Sequence, residues 1–116
     1  MEMLSVYNKD EVLLDKKVLR GSIMLENEYI MITYIFIFNN ENKLLLERNV
    51  SSGKWVIPGG HVTDDAISSI VRECNEELGI IISKEYILEV STLSHNNRFF
   101  KFFNNFLALF IRKFKL

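Results

Sequence analysis

Residues 29–38, "YIMITYIFIF", are almost wholly apolar on both faces that a two-residue alternation creates. The stretch is rich in aromatic and β-branched residues, so it reads as a central strand covered from both sides. It is about half the ~20 residues that a membrane helix needs. A chain built around such a strand needs further strands beside it and an amphipathic layer across it.

The flanking sequence supplies both. Residues 1–20 read as an N-terminal hairpin, two apolar stretches around the turn-prone Asn8, Lys9 and Asp10. Residues 20–28 form a loop, and "NNEN" (39–42) is a turn cluster. "KLLLERN" follows as a second strand of the same hairpin, with Leu44 and Leu46 on one face, and "KWVIP" is a short strand stopped by Pro58. Ile67, Ile70, Val71, Cys74 and Leu78 then recur at helical steps. Thr63 or Asp64 can cap the start of this helix, and Gly79 is placed to end it in a left-handed conformation. "YILEVSTLS" reads as a strand. "NRFFKFFNNFLALFIRKFKL" reads as one long strand broken at Asn104 and Asn105, or as two strands with a turn there. Strands, one helix and more strands indicate a mixed α/β or α+β domain.

Length and charge narrow the function. The 116 residues fit a single domain spanning 1–116. A net charge of −1 gives no global field for nucleic acid or anionic membrane, so neither is an expected partner. Cys74 is the only cysteine, which rules out an intrachain disulfide and fits a reducing, cytoplasmic location. The N-terminus has no basic region followed by an apolar stretch and is not a signal peptide.

The chemistry concentrates in "PGGHVTDDAISSIVRECNEELGI", residues 58–80. Glu73 and Glu77 are four apart and share a helix face, with Glu76 flanking them. Converging carboxylates suit a hard cation such as Mg²⁺ or Mn²⁺, which takes oxygen ligands and commonly shares them with substrate phosphates. Gly59 and Gly60 allow a ligand to approach the backbone closely, and Arg72 can hold a neighbouring carboxylate by a bidentate pair. An acidic run on an amphipathic helix is also the ordinary composition of a solvated face, and spacing alone leaves both readings open.

This segment resembles the signature box of the Nudix hydrolases. Gly60 matches its first glycine, and Arg72, Glu73, Cys74, Glu76, Glu77, Gly79 and Ile80 match its second half in register. The first half departs from it. Eleven residues separate Gly60 from Arg72, two fewer than in the pattern, and Asp64 stands where the family has glutamate. "VYNKDEVLLDKKVLRG", "YIFIFNNENKLLLERN" and "KWVIPGGHV" are similar to the stretch before the box in the branch related to isopentenyl-diphosphate isomerase.

The resemblance implies a Nudix-like α/β/α sandwich with a mixed sheet and a loop–helix–loop metal site. It implies hydrolysis of a small nucleoside diphosphate derivative with Mg²⁺ or Mn²⁺. By position, Glu73, Glu76 and Glu77 would ligate the metal directly or through water, the Gly60 carbonyl would add a ligand, and Arg72 would orient a glutamate. Glu73 is the first choice of general base, with Glu76 and Arg72 completing the catalytic set. Relative to that family the C-terminal part looks missing, and the apolar end "FLALFIRKFKL" reads as an exposed strand that favours a homodimer. Arg112, Lys113 and Lys115 among its apolar residues also suit a membrane surface, without stable insertion. Arg48 and His61 are weaker candidates for substrate contact. Trp55 could stack on a base, although packing against the helix is its commoner use, and His95 falls in a turn. Alternatives are a non-catalytic or decayed binding module, and an isomerase. The isomerase's cysteine and histidine-rich chemistry is poorly matched by a buried-face Cys74 and two histidines.

Overall fold

The computed structural model of the protein describes residues 2–105. In order these form β1 (Met3–Tyr7), β2 (Leu13–Leu19), β3 (Ile30–Phe36), β4 (Glu47–Arg48), β5 (Trp55–Val56) and β6 (Gly59–His61). Helix α1 (Ala66–Leu78), a 3-10 turn (Lys84–Tyr86), β7 (Ile87–His95) and β8 (Arg98–Asn105) follow. The doubly apolar run becomes β3, an interior strand of a four-stranded sheet ordered β6-β3-β8-β7. β8 runs parallel to β3 from Ile30↔Arg98 to Phe36↔Asn104, while β6 and β7 pair antiparallel on the outside. The sheet is therefore mixed, and the fold is mixed α/β as the sequence predicts.

Alternation along β3 divides the packing. Met31, Thr33 and Ile35 are buried on the helix side. There Ile35 meets Ile70 and Cys74 of α1 and Phe103 of β8. Burying an isoleucine such as Ile70 contributes about 1.5–3 kcal/mol, so this contact holds the helix to the sheet. On the opposite face Tyr34 and Phe36 stack on Phe102, with ring centroids 5.4 and 6.0 Å apart. Among the described residues the sheet carries a helix on one face only.

β1 and β2 form the expected hairpin. Its turn is organised by Asn8, whose side-chain oxygen accepts from the backbone N–H of Asp10 at 2.8 Å and of Val12 at 3.0 Å. β1 docks onto the sheet through Tyr7 and Tyr29, which exchange two backbone hydrogen bonds of 2.8 Å. Lys101 of β8 ties the hairpin tip to β7: its Nζ lies 2.6 Å from Glu11 and 2.9 Å from Glu89.

Four local expectations change. Asp65, not Thr63 or Asp64, caps α1, accepting from the Ser68 N–H at 2.9 Å. Residues 43–49 do not extend the β3 hairpin beyond a bridge at Phe38↔Leu44. Instead β4 pairs with β5. The face is also reversed, since Leu44 and Leu46 are exposed and Leu45 packs on the core. Trp55 is exposed rather than packed on the helix. Gly79 does end α1 in the left-handed region, with φ 66°. Residues 106–116, which carry the apolar strand end and its proposed dimer edge, lie outside the described residues.

Candidate active site

Gly59 and Gly60 belong to a strand rather than a loop. Gly60 pairs with Thr33 and Gly59 with Tyr34. A Cβ on Gly59 would fall 1.9 Å from the Thr33 carbonyl oxygen, so β6 can approach β3 here only as glycine. A Cβ on Gly60 would stand 3.0 Å from the Glu73 side chain. The missing Cβ of Gly60 is thus the space that Glu73 occupies, and the double glycine and the acidic helix form one structure. The Gly60 carbonyl accepts from Thr33 Oγ1 at 3.1 Å.

Glu73 and Glu77 border a cleft of about 450 Å³. They share its wall with Gly60, His61, Tyr34 and Glu47. Only 16% of the Glu73 side chain is exposed. Burial, the hydrogen bond with Glu77 and the Glu77 charge push its pKa up to about 7. Glu77 moves the same way, raised by partial desolvation and by the charge of Glu47, although its hydrogen bond with Glu73 pulls it back. Burial and the like-charge contact thus favour the protonated form at both carboxyls.

Arg72 orders the outer side of the site. Its Nη1 donates to Thr63 Oγ1 at 2.9 Å and lies 3.6 Å from Asp64. Its other nitrogens stand 3.8 Å from Glu73 and 3.9 Å from Glu76. Glu76 itself is exposed and does not line the cleft. Arg48 also lies away from it, on β4 opposite Trp55. His61 does line the cleft. Burial first, then the Arg20 charge, lowers its pKa and so favours the neutral ring.

Glu47 is the residue that sequence reading missed. Once Leu45 is placed on the core, a two-residue step puts Glu47 on the same side, where its carboxylate reaches Glu77. The signal was the alternation of "KLLLERN" read in the other register.

Compared with known families, residues 29–114 match the NUDIX domain. The chain belongs to the NUDIX family. A search of curated proteins found no match. Among solved structures, DR0079 from Deinococcus radiodurans superposes with a TM-score of 0.66 over 89% of this chain and 70% of its own, at 19% identity. A MutT from Aliivibrio salmonicida and Vibrio cholerae gives 0.59 at 25% identity, over 67% and 65% of the two chains. A MutT/nudix family protein from Enterococcus faecalis gives 0.59 at 20% identity, and this chain spans 39% of that protein's length. These likenesses support the NUDIX fold.

NUDIX hydrolases generally use divalent metals, and the donor chemistry here fits one. Glu73, Glu77 and Glu47 offer hard oxygens in the cleft that Gly60 also lines. Among the described residues no three acidic, histidine or cysteine side chains are gathered closely enough to enclose an ion as they stand. A cation here would relieve the like-charge contact of the Glu73–Glu77 pair.

Proposed function

We propose that the protein is a divalent-metal-dependent hydrolase that cleaves a diphosphate linkage in a nucleoside diphosphate derivative. The observation that carries this reading is the Glu73–Glu77 carboxyl pair lining one cleft, with Glu73 seated against Gly60. Glu73, Glu77, Glu47 and the Gly60 carbonyl are the donors that would hold Mg²⁺ or Mn²⁺. Glu76, reached through Arg72, is an outer ligand through water. An ion held there would supply neutralisation of the diphosphate charge and a more acidic water.

The remaining work belongs to the chain's own groups. Glu73, seated against Gly60 on the cleft wall, takes a proton from the attacking water. Arg72 keeps the Glu73 carboxylate turned from the helix toward β6 through Nη2 while its Nη1 holds Thr63 and Asp64. Neutral His61 offers a hydrogen bond to substrate without adding charge.

The isomerase reading is weaker. Cys74 is buried against the core, and burial pushes its thiol up to about 11, so it is not placed to protonate an alkene in the cleft. A binding module without turnover has one observation in its favour, the absence of a closed three-donor set among the described residues. Purified protein incubated with nucleoside triphosphates, nucleotide sugars and dinucleoside polyphosphates, with Mg²⁺ or Mn²⁺, separates the readings. The hydrolase predicts phosphate or pyrophosphate release that requires metal and is lost in Glu77→Gln. No release from a folded, metal-binding sample favours the module.

A further inference from the structure

Arg72 is steered from outside the cleft. The carboxylates of Asp64, Glu73 and Glu76 lie 3.6, 3.8 and 3.9 Å from it, each beyond hydrogen-bond reach. Asp64 is also exposed over 64% of its side chain and gives a weak hold. Among the described residues the guanidinium makes one hydrogen bond, from Nη1 to Thr63 Oγ1 at 2.9 Å. A planar fork fixed at one nitrogen presents the others in set directions, here Nη2 toward Glu73 and Nε toward Glu76.

Thr63 is itself clamped. Its carbonyl accepts from Ser5 Oγ at 2.9 Å and from Lys17 Nζ at 2.8 Å. Ser5 and Lys17 are register partners across the β1–β2 hairpin, and opposed residues project from one face of a strand pair. Ser5 is buried, and its N–H donates to the Val62 carbonyl at 3.2 Å. The next carbonyl, that of Asp64, lies 3.2 Å from Ser5 Oγ and 3.3 Å from the Tyr7 hydroxyl. On the helix side the Thr63 N–H donates to Ser69 Oγ at 3.4 Å. The hairpin and α1 thus hold Thr63 between them, with its hydroxyl turned to Arg72.

Resting on the hydrolase reading above, we infer that Thr63 is a positioning residue of the site. It aims Arg72, and through Arg72 the Glu73 carboxylate, while the N-terminal hairpin holds it in place through Ser5 and Lys17. The hairpin is therefore a working part of the site, although neither Ser5 nor Lys17 lines the cleft.

Calorimetric titration with Mn²⁺ across a double-variant cycle tests this. Thr63→Val keeps the shape of the side chain and removes the oxygen that Arg72 needs. It weakens Mn²⁺ by about tenfold, as loss of an outer partner of a metal ligand does. Thr63→Ser keeps the hydroxyl and restores most of that affinity. In the Arg72→Gln background Thr63→Val has no further effect, because the group it acts through is gone. A threonine that only props the fold would cost the same affinity in both backgrounds. Lys17 is exposed, so Lys17→Met folds as wild type does, and it weakens Mn²⁺ by about two- to threefold. Wild-type affinity in Thr63→Val, or an equal loss in both backgrounds, overturns the inference. Wild-type affinity in Lys17→Met overturns the hairpin's share in it. A wild type that binds no Mn²⁺ overturns it together with the hydrolase reading. The predicted coupling without turnover of any substrate sinks the hydrolase reading and leaves Thr63 in its role. Metal-dependent turnover without the coupling sinks the positioning role alone.

Discussion

Glu73 is held between two demands, and both are measurable. Its pKa is raised from 4.5 to about 7, so the ion-free native state holds its proton more tightly than the unfolded chain does. The stability this contributes is fully present below about pH 4.5 and is lost as pH rises through about 7. In chelator, the melting temperature of wild type should fall between about pH 5 and about pH 8, and Glu73→Gln should flatten that slope. Parallel slopes would mean that Glu73 is not the titrating group. As the proposed base, Glu73→Gln should also lower kcat by roughly 10²- to 10⁴-fold, read as turnover per folded molecule at saturating metal. Asp65 offers a contrast in the same segment. Asp65→Ala removes the α1 cap and should cost about 1 kcal/mol in denaturant unfolding, with turnover per folded molecule little changed. A large loss of turnover there would place the cap inside the site.

At the level of elements, the site is the meeting of α1 with β6, and the two glycines of β6 differ in what they permit. Gly59→Ala drives a methyl into the Thr33 backbone carbonyl, which cannot move without separating β6 from β3. Gly60→Ala meets only the Glu73 side chain, which can swing. Gly59→Ala should therefore destabilise by about 3 kcal/mol or more, while Gly60→Ala should fold and bind Mn²⁺ more weakly. Chemical denaturation and metal titration of the two variants check this, and equal stability losses would contradict it. The helix half of this junction was legible in sequence, because Ile70, Cys74, Glu73 and Glu77 announce one apolar and one acidic face by spacing alone. The strand half was not. Gly59 and Gly60 have no side-chain alternation to mark them as paired, and their partners Tyr34 and Thr33 lie far away in the chain. Glu47 was hidden for a related reason. Three consecutive leucines at 44–46 fit either strand register, and only packing of Leu45 on the core decides which carboxylate turns inward. Asp64, Asp65 and Thr63 are all competent caps, and the backbone path from β6 selected Asp65.

Across the whole molecule, β3 and β8 form a parallel pair that carries the core on one face and the Tyr34, Phe36 and Phe102 stack on the other. The mixed sheet followed from the doubly apolar strand and the strand–helix–strand order. The parallel pairing did not, because it joins segments separated by the helix and both outer strands. The proposed site lies where α1 meets β6 at the edge of this sheet. A cation that binds there and not to the unfolded chain raises the melting temperature in proportion to the logarithm of its concentration. The most direct measurement is calorimetric titration of Mn²⁺ at neutral pH into wild type and into the Glu73→Gln, Glu77→Gln double variant, in buffers of different ionisation enthalpy. A single site that releases a fraction of a proton on binding in wild type, and is lost in the double variant, is the predicted result. Equal Mn²⁺ binding in both proteins, or binding without proton release, would contradict the assignment of the carboxylate pair as the cation site.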